Sequence, residues 1–234
     1  MKIIEPSIQV EPYDPILIQK RLERAMRTCY QTQGSITDDS YKRLLAMAIN
    51  SGHQSILEHE KISTIINCSI GAYKDLTRHR HANFSISSTR YCNYSKNKFG
   101  NQITFIEPCN IEKDTEDYNN WKKLMEASEL VYMKMIKNGC TPDQCREVLP
   151  HSTAAQMYMT ANIREWRHIF ELRAQKEAHP EVQQIMIPLL LKFQKDMPTL
   201  FGDIQYNKDF DKNKYANINI WKDKEMEEKE NVKF

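Results

Sequence analysis

Helix-start signals recur along this chain, and apolar residues at helical spacing follow them. Asp14-Pro15 sets an N-capping carboxylate before a proline whose fixed φ suits a first helical turn. Ile16, Ile18, Leu22, Ala25, Met26 and Cys29 then fall near the helical period, predicting a helix through Tyr30. Residues 41–50 repeat the pattern with Leu44, Leu45, Met47, Ala48 and Ile49, and Gly52 suits the left-handed residue that stops such a helix. A short helix is expected from about Ala72. Residues 115–138 read as a long amphipathic helix carrying Trp121, Leu124, Met125, Leu130 and Met133, ended by Gly139. Thr141-Pro142-Asp143-Gln144 is a capping box that opens a short helix before Pro150. Asn162-Ile163-Arg164-Glu165 has the same signature and opens a helix to about Lys176. Pro180-Glu181 starts another with Ile185, Leu189, Leu190 and Phe193, in which Pro188 should introduce a kink.

Strand signals are fewer and do not alternate strictly with the helices. Residues 62–70 are rich in β-branched side chains, residues 1–12 alternate apolar and polar, and 103–106 form an apolar run closed by Pro108. Periodicity alone leaves 154–161 open between strand and helix. Residues 31–40 and most of 84–94 read as loop. From Tyr206 the chain turns polar and lysine-rich, so 1–205 is expected to be the folded domain and 206–234 a loosely held tail, despite Trp221. Together these signals predict a single-domain α+β protein.

Composition bounds the classes of function. With 33 basic and 31 acidic residues the net charge is +2, without the basic excess of a general nucleic-acid binder. No apolar run approaches the ~20 residues that cross a bilayer, and the first residues lack the apolar stretch of a secretory signal. Six cysteines in 234 residues read as reduced thiols, so a cytoplasmic location is expected.

The functional signal is concentrated in residues 78–91. Arg78, His79, Arg80 and His81 are cationic or can become so, and Ser87, Ser88, Thr89 and Arg90 follow within a few residues. Guanidinium forks and short hydroxyls suit phosphate and carboxylate oxygens, which points to an anionic small molecule. A second cation stands out by pattern. At about 100° per residue, Trp166, Ile169, Phe170 and Arg173 share one stripe of their helix, with Arg164, Arg167 and Glu171 on the other side. A lone charge on an apolar face is costly, so Arg173 needs either a carboxylate from elsewhere in the fold or a bound anion. The pattern leaves both open.

Arg-His-Arg followed by Ser88 is the signature of the flavin-dependent thymidylate synthases, and the chain resembles that family well beyond it. Gly52-His53-Gln54-Ser55 with Glu58-His59, Leu76-Thr77 before the triplet, Ser88-Thr89-Arg90-Tyr91, Arg146-Glu147-Val148-Leu149-Pro150, and Asn162-Ile163-Arg164-Glu165 through Leu172-Arg173 match in order. The resemblance covers about 14–198. It favours strand for 154–161 and implies a small antiparallel sheet flanked by helices, in a homotetramer whose active sites lie between subunits. It also implies conversion of deoxyuridylate (dUMP) to thymidylate, with methylenetetrahydrofolate as carbon donor, FAD carrying the hydride and NADPH reducing the FAD. By the same resemblance Arg173 activates the uracil ring. Asp75, Arg78, Ser87, Ser88, Thr89, Arg90 and Arg146 join it around the nucleotide. Arg78, His79, Arg80, Asn162, Arg164 and His168 hold the flavin, with His53 and Ser55 from a neighbouring subunit. No metal, nucleic acid or membrane partner is implied.

The sequence departs from the family at two positions. Ile86 stands where some members carry a carboxylate, and Asp75 where a longer Gln or Glu is frequent. Competing readings are weaker. Pro108-Cys109 faintly resembles the nucleophile of the cysteine-dependent thymidylate synthases, but Asn110 follows where His is expected, so Cys109 reads as structural. Cys140 with Cys145, and His79 with His81, lack the partner pairs that complete a zinc site. A non-catalytic nucleotide- or RNA-binding module would use Arg78, Arg80 and Arg90 beside Phe84 and Tyr91, but would leave Arg173 unexplained.

Overall fold

The computed structural model describes residues 1–222. In chain order the elements are β1 (Lys2–Ile4), β2 (Ser7–Val10), α1 (Pro15–Tyr30), α2 (Ser40–Asn50), β3 (Lys61–Ser69), α3 (Ile70–Leu76), β4 (Asn83–Ile86), β5 (Thr104–Ile106), α4 (Glu116–Lys137), α5 (Pro142–Cys145), β6 (Ala154–Asn162), α6 (Ile163–Arg173), α7 (Pro180–Asp196), α8 (Pro198–Phe201) and β7 (Asn217–Ile220). The expected caps are present. Asp14 accepts from the amides of Ile16 and Leu17 at 2.9 and 3.0 Å, and the Thr141–Gln144 box is complete. Gly52 adopts φ 73°, the left-handed conformation that ends α2 without a Cβ clash.

The main sheet has five strands in the order β4-β6-β3-β2-β7. The antiparallel expectation holds for β4, β6, β3 and β2, but β7 joins β2 in parallel. The α+β class stands, with helices laid on the sheet. Residues 1–12 are not one strand. Pro6 separates β1, which pairs in parallel with β5 in a small second sheet, from β2. Nor is 84–94 mostly loop at its start, since β4 pairs Phe84 with Met159 and Ile86 with Met157.

Period-two burial on β6 sends Ala155, Met157, Met159 and Ala161 into the core. There they meet Ile8, Val10, Ile62 and Ile66 of the neighbouring strands and an aromatic cluster from the helices. Trp166 stacks on Phe170 at 5.6 Å and Phe170 meets Phe193 edge-on at 5.6 Å. The Trp166 indole donates to the Ile62 carbonyl at 3.0 Å, locking α6 to β3. A smaller core under α4 joins Tyr94, Ile103, Phe105, Met125 and Tyr132.

One consequence corrects the helical-wheel reading of α6. Arg167, expected on the polar side, is 2% exposed. The segment carrying α8 covers that side, and the Arg167 fork donates to both Asp203 oxygens at 2.7 and 2.6 Å and to the Leu200 carbonyl. That contact holds the Asp203 carboxyl below its usual range.

The expected loose tail is corrected over 206–222; residues 223–234 lie outside the described residues. Pro188 lacks the amide that would bond the Gln184 carbonyl four residues back. The helix runs through Pro188 unbroken, and Ala216 N donates to that freed carbonyl at 2.9 Å, delivering β7 to the sheet edge. Asn207 N donates to the Ala174 carbonyl at 2.8 Å, and Trp221 N to the Val10 carbonyl at 2.8 Å. Tyr206, Phe210 and Tyr215 pack on the core.

Candidate active site

Three groupings of the expected residues emerge. The first forms where the segment after α3 crosses α6. His79 is 4% exposed, while Arg78 and Arg80 on either side are exposed and make no ion pair among the described residues. A turn of basic residues thus buries its imidazole and leaves both guanidiniums outside. Arg173 Nε donates to His79 Nε2 at 3.0 Å, and Arg173 Nη2 donates to the Asp75 carbonyl at 3.0 Å. The opposite ring nitrogen, Nδ1, lies 3.3 Å from Glu165 Oε1. Burial pushes His79 down to about 4, with Arg173 and His168 adding to the effect. The ring is therefore neutral near pH 7. Burial also raises the Glu165 carboxyl, against the pull of His168, His81 and Arg164.

Of the two readings open for Arg173, the intramolecular carboxylate is not what the fold provides. Among the described residues no carboxylate lies within ion-pair distance of it; its partners are a neutral imidazole and a carbonyl. The guanidinium therefore keeps its full charge in a half-buried position. Such a fixed cation can stabilise negative charge developing on a bound ring.

The second grouping is a cleft of about 440 Å³ between α6 and the turn at Gln54–His59. Asn162, Arg164 and His168, three of the residues assigned to the flavin by resemblance, line it together. Asn162 also caps α6, accepting from Glu165 N at 2.8 Å. Gln54, Glu58, His81, Glu165 and Glu171 line it too, and the motif reading gave none of these a binding role. Arg164 meets Glu58 at 2.6 Å across the mouth. The cleft touches the first grouping through His168, whose ring meets His79 edge-on at 5.6 Å. His53 and Ser55 are exposed and lie outside the residues lining the cleft.

The third grouping joins α5 to the loop after β4. Asp143 accepts from Arg90 Nε at 3.0 Å and lies 3.6 Å from Arg146 Nε, so two arginines 56 positions apart meet over one carboxylate. Ser88 Oγ accepts from the Arg90 amide at 3.3 Å, shaping the turn that carries Thr89 and exposed Tyr91. Ser87 is taken up by the strand edge, exchanging hydrogen bonds with Gln156 at 2.9 and 3.0 Å. Its hydroxyl accepts from backbone and keeps its own O–H to donate.

Burial pushes the Cys109 thiol up to about 11, which disfavours the thiolate that a nucleophile needs. All six cysteines carry free thiols. No cluster of His, Cys, Asp or Glu among the described residues is placed to hold a metal ion, and none of their helices is long and apolar enough to cross a membrane.

Fold and site define a mixed-sheet α+β protein with a polar cleft beside α6, lined by Arg164, two histidines and three carboxylates. More particularly, the chain belongs to the thymidylate synthase complementing protein family, whose model matches residues 17–199. Its relatives include the flavin-dependent thymidylate synthase of Pyrococcus abyssi, 32% identical over 161 residues that cover 68% of this chain and 65% of that protein. The match thus spans just under two thirds of that relative's length. The flavin-dependent thymidylate synthase of Corynebacterium glutamicum is 27% identical over 220 residues, covering 86% of this chain and 84% of that one. The fold is shared with a UMP/dUMP methylase, PolB, from Streptomyces cacaoi, whose crystal structure holds 5-Br dUMP. Its TM-score is 0.71 at 18% identity, over 86% of this chain and 96% of that one.

Proposed function

We propose that this protein is an enzyme that converts deoxyuridylate to thymidylate by reductive methylation. The carbon comes from methylenetetrahydrofolate and the reducing power from NADPH by way of FAD. The single observation that carries this reading is the charged Arg173 guanidinium, held by a neutral imidazole and a carbonyl instead of a carboxylate. Family membership and the activity for which the relatives are named support it.

The residues of the cleft suit a flavin. Asn162, Arg164 and His168 offer donors, and Glu58 and Glu171 offer acceptors for hydroxyls. Exposed Arg78 and Arg80 offer charge to phosphates without prior neutralisation. When bound, FAD supplies the hydride chemistry; the chain binds, orients and excludes water. Arg90 and Arg146, drawn together by Asp143, form a ready clamp for a phosphate, with Ser88 and Thr89 beside it. Arg173 then faces the uracil ring and favours its electron-rich form. The departures fall at the nucleotide. Ile86 brings no carboxylate there, and Asp75 contributes its carbonyl to Arg173.

His53 and Ser55 complete the flavin site from a neighbouring subunit, within a homotetramer whose active sites lie between copies. The exposed position of both residues is compatible with that assignment, and the family resemblance supports it. A non-catalytic nucleotide- or RNA-binding module draws no support from the family match. The test is direct. The purified protein should be yellow, or become so with added FAD, and should release tritium from C5-labelled deoxyuridylate only with NADPH and methylenetetrahydrofolate present. A colourless protein that refuses FAD would overturn the reading.

A further inference from the structure

We propose that Glu165 is a positioning residue for Arg173. Acting through the His79 imidazole, it fixes which edge of the guanidinium the protein holds and which is left for substrate. This rests on the reading of Arg173 as the cation that meets the uracil ring.

Glu165 and Arg173 share a ridge of α6 but stand two turns apart, about 12 Å along the axis at 1.5 Å per residue, too far to pair. His79 enters from another segment and spans the gap. Its Nε2 accepts from Arg173 Nε at 3.0 Å, and its Nδ1 lies 3.3 Å from the Glu165 carboxylate. A neutral imidazole that accepts at Nε2 must carry its proton at Nδ1. The carboxylate facing Nδ1 favours that tautomer electrostatically. In the other tautomer Nε2–H would meet Arg173 Nε–H, donor against donor, and the guanidinium would turn away.

The second tether is the Asp75 carbonyl, which accepts from Nη2 at 3.0 Å. Nε and Nη2 form one edge of the planar guanidinium, so that edge is fully held. Nη1 enters no hydrogen bond among the described residues. A carboxylate placed directly on Arg173 would orient it and neutralise it together. Setting the carboxylate one imidazole away orients the group and leaves its charge for the ligand. Glu165 is 6% exposed, so water does not readily take over its part.

The tautomer can be read without turnover. Full-length protein labelled with 15N-histidine should show His79 protonated at Nδ1, by two-bond nitrogen–proton couplings. Glu165→Leu should lose that preference, while Glu165→Gln, which keeps a carbonyl oxygen, should retain it. Turnover should follow: kcat for deoxyuridylate falls about ten- to a hundredfold in Glu165→Leu, with KM changed less than about threefold. Most of the loss should be recovered in Glu165→Gln. Wild-type His79 protonated at Nε2 overturns the proposal whether or not the leucine variant folds. Full turnover in Glu165→Leu beside an inactive Arg173→Ala overturns it too. Full turnover in Arg173→Ala removes the reading of Arg173 itself, and this inference with it.

Discussion

At the scale of single residues the site depends on how one histidine and one arginine divide their hydrogen bonds. Arg173→Ala should lower turnover by about three orders of magnitude, within the range found when a preorganised charge stabiliser is removed. The measurement is tritium release under saturating substrates, and a variant within tenfold of wild type would contradict the role. His79 also ties stability to pH. An unfolded histidine takes up its proton near 6.5, whereas burial holds the folded one at about 4. Between those values the unfolded chain binds more protons, so stability falls as pH drops through that window, by on the order of 2 kcal/mol. The charged and titratable groups facing His79 are Glu165, Arg173 and His168, and the raised Glu165 carboxyl partly offsets the loss at the acid end. Urea midpoints at pH 7 and pH 5 should therefore converge in His79→Gln; an unchanged difference would contradict the assignment. The sequence marked Arg173 correctly as a charge on an apolar stripe. Glu165 was hidden, because in Asn162-Ile163-Arg164-Glu165 it reads as the far end of a capping box. Only half of that box forms: Asn162 caps the Glu165 amide, while the Glu165 side chain leaves for His79, which comes from 86 positions earlier.

At the scale of elements, what local chemistry determines was legible and what distant partners determine was not. The start signals of α1, α5, α6 and α7 all lie in their own sequence, and each opens its helix, α6 by the Asn162 half of its box alone. β4 is short, and its ladder is supplied by β6 far along the chain, so residues 84–94 looked like loop. Arg167 followed the helical wheel to the polar side of α6, yet α6 is covered on that side as well by the chain carrying Leu200 and Asp203. The C-terminal strand was missed for a similar reason. The stretch around it is polar and lysine-rich, although Asn217-Ile218-Asn219-Ile220 itself alternates as a strand does, and part of its hold comes from a carbonyl that Pro188 frees in α7. Truncation after Gln205 should therefore cost on the order of 3 kcal/mol or more. It removes β7 and the packing of Phe210, Tyr215 and Ala216. Urea denaturation would measure it; a truncated protein of unchanged midpoint would show that β7 contributes nothing to the sheet.

At the scale of the whole molecule, separate parts of the chain supply the residues assigned to the proposed reaction. The segment after α3 contributes His79 and the exposed arginines, α6 contributes Glu165, His168 and Arg173, and α5 with the loop after β4 contributes the Arg90–Arg146 pair. A sheet and a helical layer welded by Trp166, Phe170 and Phe193 give these groups a rigid frame. The ordered motifs made the family legible from sequence, while the sharing of partners among its residues required the fold. The central claim is that this frame carries out reductive methylation of deoxyuridylate. Tritium release from C5-labelled deoxyuridylate tests it most directly, with FAD, NADPH and methylenetetrahydrofolate supplied together and each left out in turn. Release that needs NADPH and methylenetetrahydrofolate, and falls when FAD is stripped from the protein, is the predicted result. No release from folded, FAD-saturated protein would contradict the account.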